Sequence, residues 1–334
     1  MRAAIYGAGA MGTVLGAHVA RAGRQIDLIT RNIQHVTALK ECGARIGGTV
    51  EFTVPVTALT PEEMTGEYDV IFLMTKQRKN VKICQFLLKY LKSDGAICTM
   101  QNGLPEPSVA SVVGEERTLG CAVSWGATFK GAGCSILTSS PDKLTFSLGA
   151  YNINNPNLVN VAELLSCMGK VIIEQNFIGA RWAKLAINSA FSSLSAITGL
   201  TFGEVASDKR TKRIALSMLN EAFAVAKSCG VKIEKIQGHD IVKIYRCKCG
   251  IKKLIALRLL PFAMKSHKDI VSGMCYDLKA GKKCDIDFIN GVITSLAQRY
   301  NTPVPLNEKV LEIAHKIECK QLEISTDNLS LLVF

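Results

Sequence analysis

No apolar run in this sequence approaches the roughly 18 residues that a helical membrane span needs, so no membrane partner is expected. Cys-x-x-Cys pairs are also missing. The twelve cysteines are scattered, and Cys247-Lys-Cys249 is the only close pair, with no second pair or histidine cluster near it. This excludes the common zinc and dithiol motifs and gives no disulfide framework. Most of the cysteines read as small core hydrophobes, and no metal is expected. Aromatic residues make up only 6% of the chain. No stacking motif accompanies the basic residues, so no nucleic-acid partner is expected either. Internal repeats and low-complexity segments are absent. The first strand begins at residue 2 or 3, which leaves no room for a targeting segment, and a cytoplasmic location is the expectation.

Acidic residues are in short supply: 28 Asp and Glu stand against 40 Lys and Arg, a formal charge of +12. Part of the excess lies between Lys243 and Lys268. That stretch reads first as a solvated helical face and second as an electrostatic funnel for an anionic cofactor and substrate. With 334 residues, 48% of them hydrophobic, the chain is long enough for two domains with their own cores.

The most informative stretch is the N-terminus, where Gly7-Ala-Gly9-Ala-Met-Gly12 follows a short apolar run and precedes a small-residue helix over 14–22. Each glycine has a physical task in a dinucleotide site. Gly7 turns the chain sharply off a strand, Gly9 lets backbone approach a pyrophosphate, and Gly12 lets the helix pack close to the sheet. The helix N-terminus then aims free N–H groups at the anion. Gly7, Gly9, Ala10, Met11 and Gly12 are therefore the candidate cofactor-binding residues. A second strand over 25–30 ends in Thr30 and Arg31 rather than the Asp or Glu that binds a ribose 2′-hydroxyl. A hydroxyl beside a guanidinium suits a 2′-phosphate, so NADP(H) is favoured over NAD(H).

Further along, 33–42 reads as a helix, 44–56 as a hairpin or strand pair, and 69–74 as a buried parallel strand. Lys76 follows that strand at the carboxyl edge, within reach of cofactor phosphates or ribose. Residues 80–92 read as a helix and 96–100 as a strand closed by Gln101-Asn102-Gly103. Asn102 can both donate to and accept from a nicotinamide or a substrate. Shorter strands over 119–129, 134–137 and 144–148 complete or flank the sheet, followed by a helix over 159–168 and a strand over 170–174. From Phe177 long helical periodicity takes over: 181–197, 212–229, 233–264 with a break, 288–300 and 307–321. The expected architecture is an α/β Rossmann dinucleotide-binding domain over 1–176, followed by an all-α substrate and catalytic domain over 177–334. Apolar faces in the helical half could also bury a second copy in a homodimer.

Two constellations stand out in that half. Lys184, Asn188 and Ser192 recur every four residues and share one helix face amid Trp182, Leu185, Ile187, Phe191 and Leu194. A lysine in so apolar a helix is expected to be buried, which would lower its pKa and make it a usable proton donor. The second is Lys283-Cys-Asp285-Ile-Asp287-Phe-Ile-Asn290-Gly291, where one of the two aspartates is expected to cap the apolar helix that follows.

Taken together, these segments resemble the ketopantoate reductase (2-dehydropantoate 2-reductase) family along nearly the whole chain. They are the N-terminal glycines, Lys76, Gln101-Asn102-Gly103, Trp182-x-Lys184-Leu-x-x-Asn188, and Asp285-Ile-Asp287-Phe-Ile-Asn290-Gly291. The resemblance implies NADPH-dependent reduction of ketopantoate to pantoate, a 2-hydroxy acid, on the route to pantothenate and coenzyme A. It implies Lys184 as general acid, with Asp285 beside it at the catalytic position where the family usually carries Glu. Asn102 and Asn188 would orient substrate and cofactor in an interdomain cleft, and Arg31 and Lys76 would face the 2′-phosphate. Ser192 stands where the family often has Asn. A substrate-binding Ser usually directly precedes Met, whereas here Gly273 precedes Met274 and Ser272 lies one residue earlier. These departures leave open a relative acting on another 2-oxo acid, branched or aromatic, or a non-catalytic NADPH sensor; the retained Lys184 speaks against a sensor.

Overall fold

The computed structural model describes residues 1–236, 238–247 and 250–332. Contacts divide the chain into two compact units, Met1–Gln101 with Pro105–Phe177, and Asn102–Leu104 with Ile178–Phe334.

In the first unit, short apolar runs become the strands of an eight-stranded sheet. β1 (Ala3–Tyr6) is buried throughout and leads through α1 (Ala10–Arg21) to β2 (Ile26–Ile29). α2 (Ile33–Cys42) starts at Asn32, whose side chain accepts the His35 N–H, and ends at Gly43 with φ +72°. β3 (Ala44–Gly48) and β4 (Phe52–Val54) pair antiparallel, as the alternation over 44–56 suggests. β5 (Thr57–Leu59), β6 (Tyr68–Leu73), α3 (Asn80–Leu87) and β7 (Leu91–Thr99) follow. The helix expected over 80–92 is shorter because residues from Leu91 join the sheet. α4 (Glu106–Val113), β8 (Thr118–Val123), β9 (Ala127–Gly131), β10 (Cys134–Leu137), β11 (Thr145–Ala150), α5 (Asn157–Ser166) and β12 (Lys170–Ile173) complete the unit.

The large sheet has the order β12-β11-β8-β7-β6-β1-β2-β5, parallel except where β8 meets β11. β1 lies between β2 and β6, parallel to both, so the strand order reverses there. Ligands of open α/β sheets bind at the carboxyl ends beside such a reversal. The stretch 119–129, expected as one strand, divides. β8 stays in the large sheet, while β9 joins β4, β3 and β10 in a separate four-stranded sheet. β10 pairs parallel with β3, far away in sequence, a register that no local pattern encodes.

The second unit is helical: α6 (Phe177–Ile187), α7 (Ser193–Thr198), α8 (Phe202–Ser207), α9 (Lys209–Ser228), α10 (Ile241–Tyr245), α11 (Gly250–Ala263), α12 (Gly273–Lys279), α13 (Asn290–Arg299) and α14 (Pro305–Glu318). Its core gathers Trp182, Leu185, Phe191, Leu194, Met218, Ile293 and Ile313. The basic stretch after Lys243 is not a purely solvated charged face. α11 buries Ala256, Leu257 and Leu260 on one side and exposes Ile251, Leu254, Ile255 and Phe262 on the other. Residues 248 and 249, half of the basic stretch's cysteine pair included, lie outside the described residues. Among the described residues Cys84, Cys98, Cys121, Cys275 and Cys284 are buried, and burial pushes the Cys84 and Cys284 thiols up to about 12. Among the described residues no helix is long and apolar enough to cross a membrane.

Candidate active site

The glycine loop is built as its sequence demands. Gly7 has φ +108°, and a Cβ there would lie 2.7 Å from the Met74 carbonyl carbon and the Thr75 nitrogen. Only glycine lets β1 and the end of β6 come this close. Gly7 and Ala8 both donate to the Ile29 carbonyl, which fixes the turn against β2. A Cβ on Gly12 would lie 2.8 Å from the Gly7 carbonyl oxygen, so α1 sits tight on β1. Gly9 differs: a Cβ there would meet no atom within 4 Å. It is exposed and occupies the N-cap of α1, where it offers no side chain to the first-turn N–H groups of Ala10, Met11 and Gly12. Bare N–H groups beside open space at a helix N-terminus suit a pyrophosphate.

Arg31 stands exposed two residues beyond the end of β2, with no carboxylate among Thr30, Arg31 and Asn32. Thr30 accepts from the Asn32 N–H at 3.3 Å, and Asn32 caps α2, so the segment carrying Arg31 is held at both sides. Lys76 is exposed just after β6 and opens a short 3-10 turn over Gln77–Lys79. The loop behind it is fastened by a buried amide pair. The Gln101 amide donates to the Thr75 carbonyl at 2.6 Å and to Asn80 Oδ1 at 2.8 Å. Asn80 returns a bond to Gln101 Oε1 at 2.9 Å and donates to Ser108 Oγ. This ring ties the carboxyl ends of β6 and β7 to the starts of α3 and α4.

His35 fastens α1 from the other side. Its Nδ1 accepts the Gly133 N–H at 2.8 Å, so the ring proton sits on Nε2, which donates to Thr13 Oγ1 at 2.9 Å. Burial lowers its pKa, in keeping with a neutral ring.

In the helical unit, Lys184, Asn188 and Ser192 form a half-exposed stripe, while Trp182, Ala183, Leu185, Ala186, Ala190 and Phe191 are buried. Lys184 is thus not fully buried as its apolar setting suggests: the stripe it shares is the face of α6 turned away from the core. The single helix expected over 181–197 is interrupted by a π-turn at Asn188–Ser192. Ser192 Oγ donates to Asn188 Oδ1 at 3.3 Å, so these two candidates do meet. π-turns inside α-helices occur often at functional sites.

Neither aspartate occupies the N-cap position of α13. Asp285 starts a 3-10 turn over Ile286–Phe288 with no capping bond from its side chain, and the position before α13 is Ile289. Asp287 instead sits 2.6 Å from His315 Nε2 on α14. That 3-10 turn sets both aspartates ahead of Ile289, which takes the N-cap position of α13. Asn290 is fully buried, and its amide donates to the Ser189 carbonyl at 3.0 Å and to Asn307 Oδ1 at 3.0 Å. Ser272 is buried, with its hydroxyl accepting from Met274 N–H as the cap of α12 and its own N–H on Ser195 Oγ. Asn102 is exposed and groups by contacts with the helical unit rather than with the sheet it follows.

Two family models cover most of the chain: "Ketopantoate reductase PanE/ApbA" matches residues 3–150 and "Ketopantoate reductase PanE/ApbA C terminal" matches residues 176–318. The chain belongs to the ketopantoate reductase family. Members of this reductase family similar to it include the 2-dehydropantoate 2-reductase of Streptococcus pyogenes, 24% identical over 322 residues that span 94% of this chain and 97% of the relative. The Pyrococcus horikoshii 2-dehydropantoate 2-reductase is 25% identical, with 92% and 94% covered. Among solved structures, the PanE/ApbA family ketopantoate reductase from Ralstonia eutropha superposes with a TM-score of 0.81 at 26% identity, covering 96% of this chain and 99% of that one. D-mandelate dehydrogenase in its ternary complex with NADH and anilino(oxo)acetate shares the fold, with a TM-score of 0.81 at 21% identity and full coverage of both chains.

The sequence gives no part in this ketopantoate reductase fold to Asn80, His35, Asn307 or Glu221, and gives Gln101 and Asn290 only a place in motifs. Local pattern carried little signal for them, because most stand beside other polar or charged residues, and burial in the fold is what obliges these polar groups to find partners.

Proposed function

We propose that this chain is an NADPH-dependent 2-oxo acid reductase whose substrate is ketopantoate and whose product is pantoate. The observation that carries this reading is the polar stripe of Lys184, Asn188 and Ser192 on an otherwise buried helix, in a chain that also holds an open glycine loop. Gly9 and the first turn of α1 would hold the cofactor's pyrophosphate, and Arg31 with Lys76 its 2′-phosphate. NADPH, when bound, supplies the hydride for C2 of the oxo acid. Lys184 holds, on Nζ, the proton that the C2 oxygen needs as negative charge builds there. A positioned acid of this kind is worth on the order of 10²–10⁴ in rate. Asn188 and Ser192, linked through their side chains, would orient the substrate's polar groups, with Asn102 assisting. Asp285 would stand in for the longer Glu of the family. We assign residues 1–176 to cofactor binding and 177–334 to substrate binding and proton transfer, in a cytoplasmic enzyme.

A second reading, favoured by Ser192, Gly273 and Asp285, is reduction of another 2-oxo acid. Ser272 supports it too, because its hydroxyl is taken up in capping α12 and replaces poorly a substrate-binding serine at position 273. NADPH oxidation with ketopantoate, 2-oxoisovalerate and the 2-oxo acid of mandelate separates the readings. The first predicts that ketopantoate has the highest kcat/KM. A clear preference for either competitor moves the assignment to that acid. Tight NADPH binding without turnover of any of them leaves a non-catalytic sensor.

A further inference from the structure

Two motifs that lie about a hundred residues apart meet at one buried amide. In an α-helix the Ser193 N–H would bond to the Ser189 carbonyl, four residues back. In the π-turn it bonds instead to the carbonyls of Asn188 and Ala190. The Ser189 carbonyl receives two side-chain donors in its place, Asn290 Nδ2 at 3.0 Å and the Ser193 hydroxyl. Ser189, Ser193 and Asn290 are each fully buried, so no solvent supplies these bonds.

The orientation of the Asn290 amide is dictated from behind. Glu221 on α9 accepts the backbone N–H groups of Leu306 and Asn307 at the start of α14, and it accepts the Asn307 side-chain amide at 2.7 Å. Burial pushes the Glu221 carboxyl up while these bonds oppose the shift. A group that accepts three N–H donors must be met by the NH2 end of Asn307. That leaves Asn307 Oδ1 to face Asn290 and accept from it at 3.0 Å. With an acceptor on each side, Asn290 can present only its NH2. The relay from Glu221 through Asn307 to Asn290 therefore ends on the carbonyl that the π-turn has diverted from its helical partner.

We infer that Asn290 is a positioning residue: through the Ser189 carbonyl it holds the π-turn from which Asn188 and Ser192 project, one and two turns beyond Lys184. This deepens the proposed function and rests on it for the roles of those three side chains. It also gives the Asp-Ile-Asp-Phe-Ile-Asn-Gly segment a task beyond its aspartates. Removing the Asn290 amide frees the Ser193 N–H to return to Ser189, which rewinds the turn to α geometry and shifts Asn188 and Ser192 relative to Lys184. A misplacement of about an ångström costs on the order of a hundredfold in rate.

The test compares wild type with Asn290→Ala and with the nearly isosteric Asn290→Asp, which guards against loss of the fold. The measurements are steady-state kinetics with ketopantoate, or with the best 2-oxo acid of the panel, together with NADPH affinity by fluorescence and thermal melting. For Asn290→Ala the expected result is a kcat loss on the order of tenfold to a hundredfold, a raised KM for the oxo acid and NADPH affinity unchanged within about twofold. For Asn290→Asp a carboxylate would face two acceptor oxygens, and only its protonated form can donate to Ser189. The ratio of variant to wild-type kcat should therefore rise as pH falls from about 8 to about 6, since burial raises a carboxyl pKa. The same ratio for Asn290→Ala should stay flat. A variant that melts lower yet keeps wild-type kcat and KM, or an Asn290→Asp ratio that ignores pH, overturns the inference and leaves Asn290 a packing residue. A crystal structure of Asn290→Ala decides the geometry without any substrate: a rewound helix with Ser193 N–H on the Ser189 carbonyl supports the inference, and an unchanged π-turn overturns it. Wild-type protein inactive on every 2-oxo acid would remove the proposed function, while that crystal structure still decides what holds the turn.

Discussion

Gly9→Ala separates the fold from the cofactor. Gly9 has φ −87°, outside the left-handed region that favours glycine, and its Cβ would touch nothing within 4 Å. Alanine is a poorer N-cap than glycine, which costs a few tenths to about 1 kcal/mol; it also restricts the unfolded chain, which returns about 0.4–1 kcal/mol. These terms nearly cancel, and the melting temperature should move by no more than about 2–4 °C. The same methyl stands where the proposed pyrophosphate approaches the N–H groups of α1. Losing one or two charge-assisted hydrogen bonds, each worth about 1.5–3 kcal/mol, weakens NADPH binding by at least roughly tenfold. Gly12→Ala is the contrasting variant. Its Cβ would lie 2.8 Å from the Gly7 oxygen and 2.9 Å from Ile5 Cγ2, so backbone must move and stability should fall by about 1–3 kcal/mol. NADPH titration by fluorescence quenching, run beside thermal melts, reads both quantities. Unchanged NADPH affinity in Gly9→Ala, with the fold intact, would refute the loop as the pyrophosphate site.

Arg31→Ala should weaken NADPH at least about tenfold, the worth of a charge-assisted phosphate contact, and leave NADH nearly unaffected; equal losses for both would remove Arg31 from the 2′-phosphate. The His35 pKa is lowered in the fold, so its contribution to stability is complete above the unfolded value of about 6.5 and is lost as pH falls through the lower folded value. Protonation would also set an Nδ1 proton against the Gly133 N–H. His18, lowered by the same cause, adds to the trend. The melting temperature should therefore drop between about pH 7 and pH 5, and His35→Gln should drop less steeply; parallel slopes would contradict this.

Much of the fold is legible because it rests on local pattern. α2 begins at Ile33 and ends at Cys42 as its cap and glycine dictate, and β6 follows its apolar run to within a residue. The elements that were illegible depend on distant partners or on ambiguous residues. α4 goes without an expectation in the sequence, yet it begins between Pro105 and Pro107 because proline is tolerated in a first helical turn. The parallel pairing of β10 with β3 joins segments separated by half of the large sheet's strands. At the candidate site, the glycines and the Lys184 stripe are visible in spacing alone. The π-turn is not, because the shift of one hydrogen bond is dictated by Asn290, whose partner chain runs through α14 and α9. The expected cap by Asp285 or Asp287 fails for a similar reason: an unforeseen 3-10 turn intervenes, and His315 takes Asp287.

The central claim is that Lys184 protonates a 2-oxo acid as it is reduced, and the most direct test is NADPH oxidation with ketopantoate by wild type and Lys184→Ala side by side. The account predicts rapid turnover by wild type and a kcat lower by about 10²–10⁴ in the variant, with NADPH affinity retained. Wild-type turnover that survives in Lys184→Ala would contradict the assigned acid. No wild-type turnover, with NADPH bound, would contradict ketopantoate as the substrate.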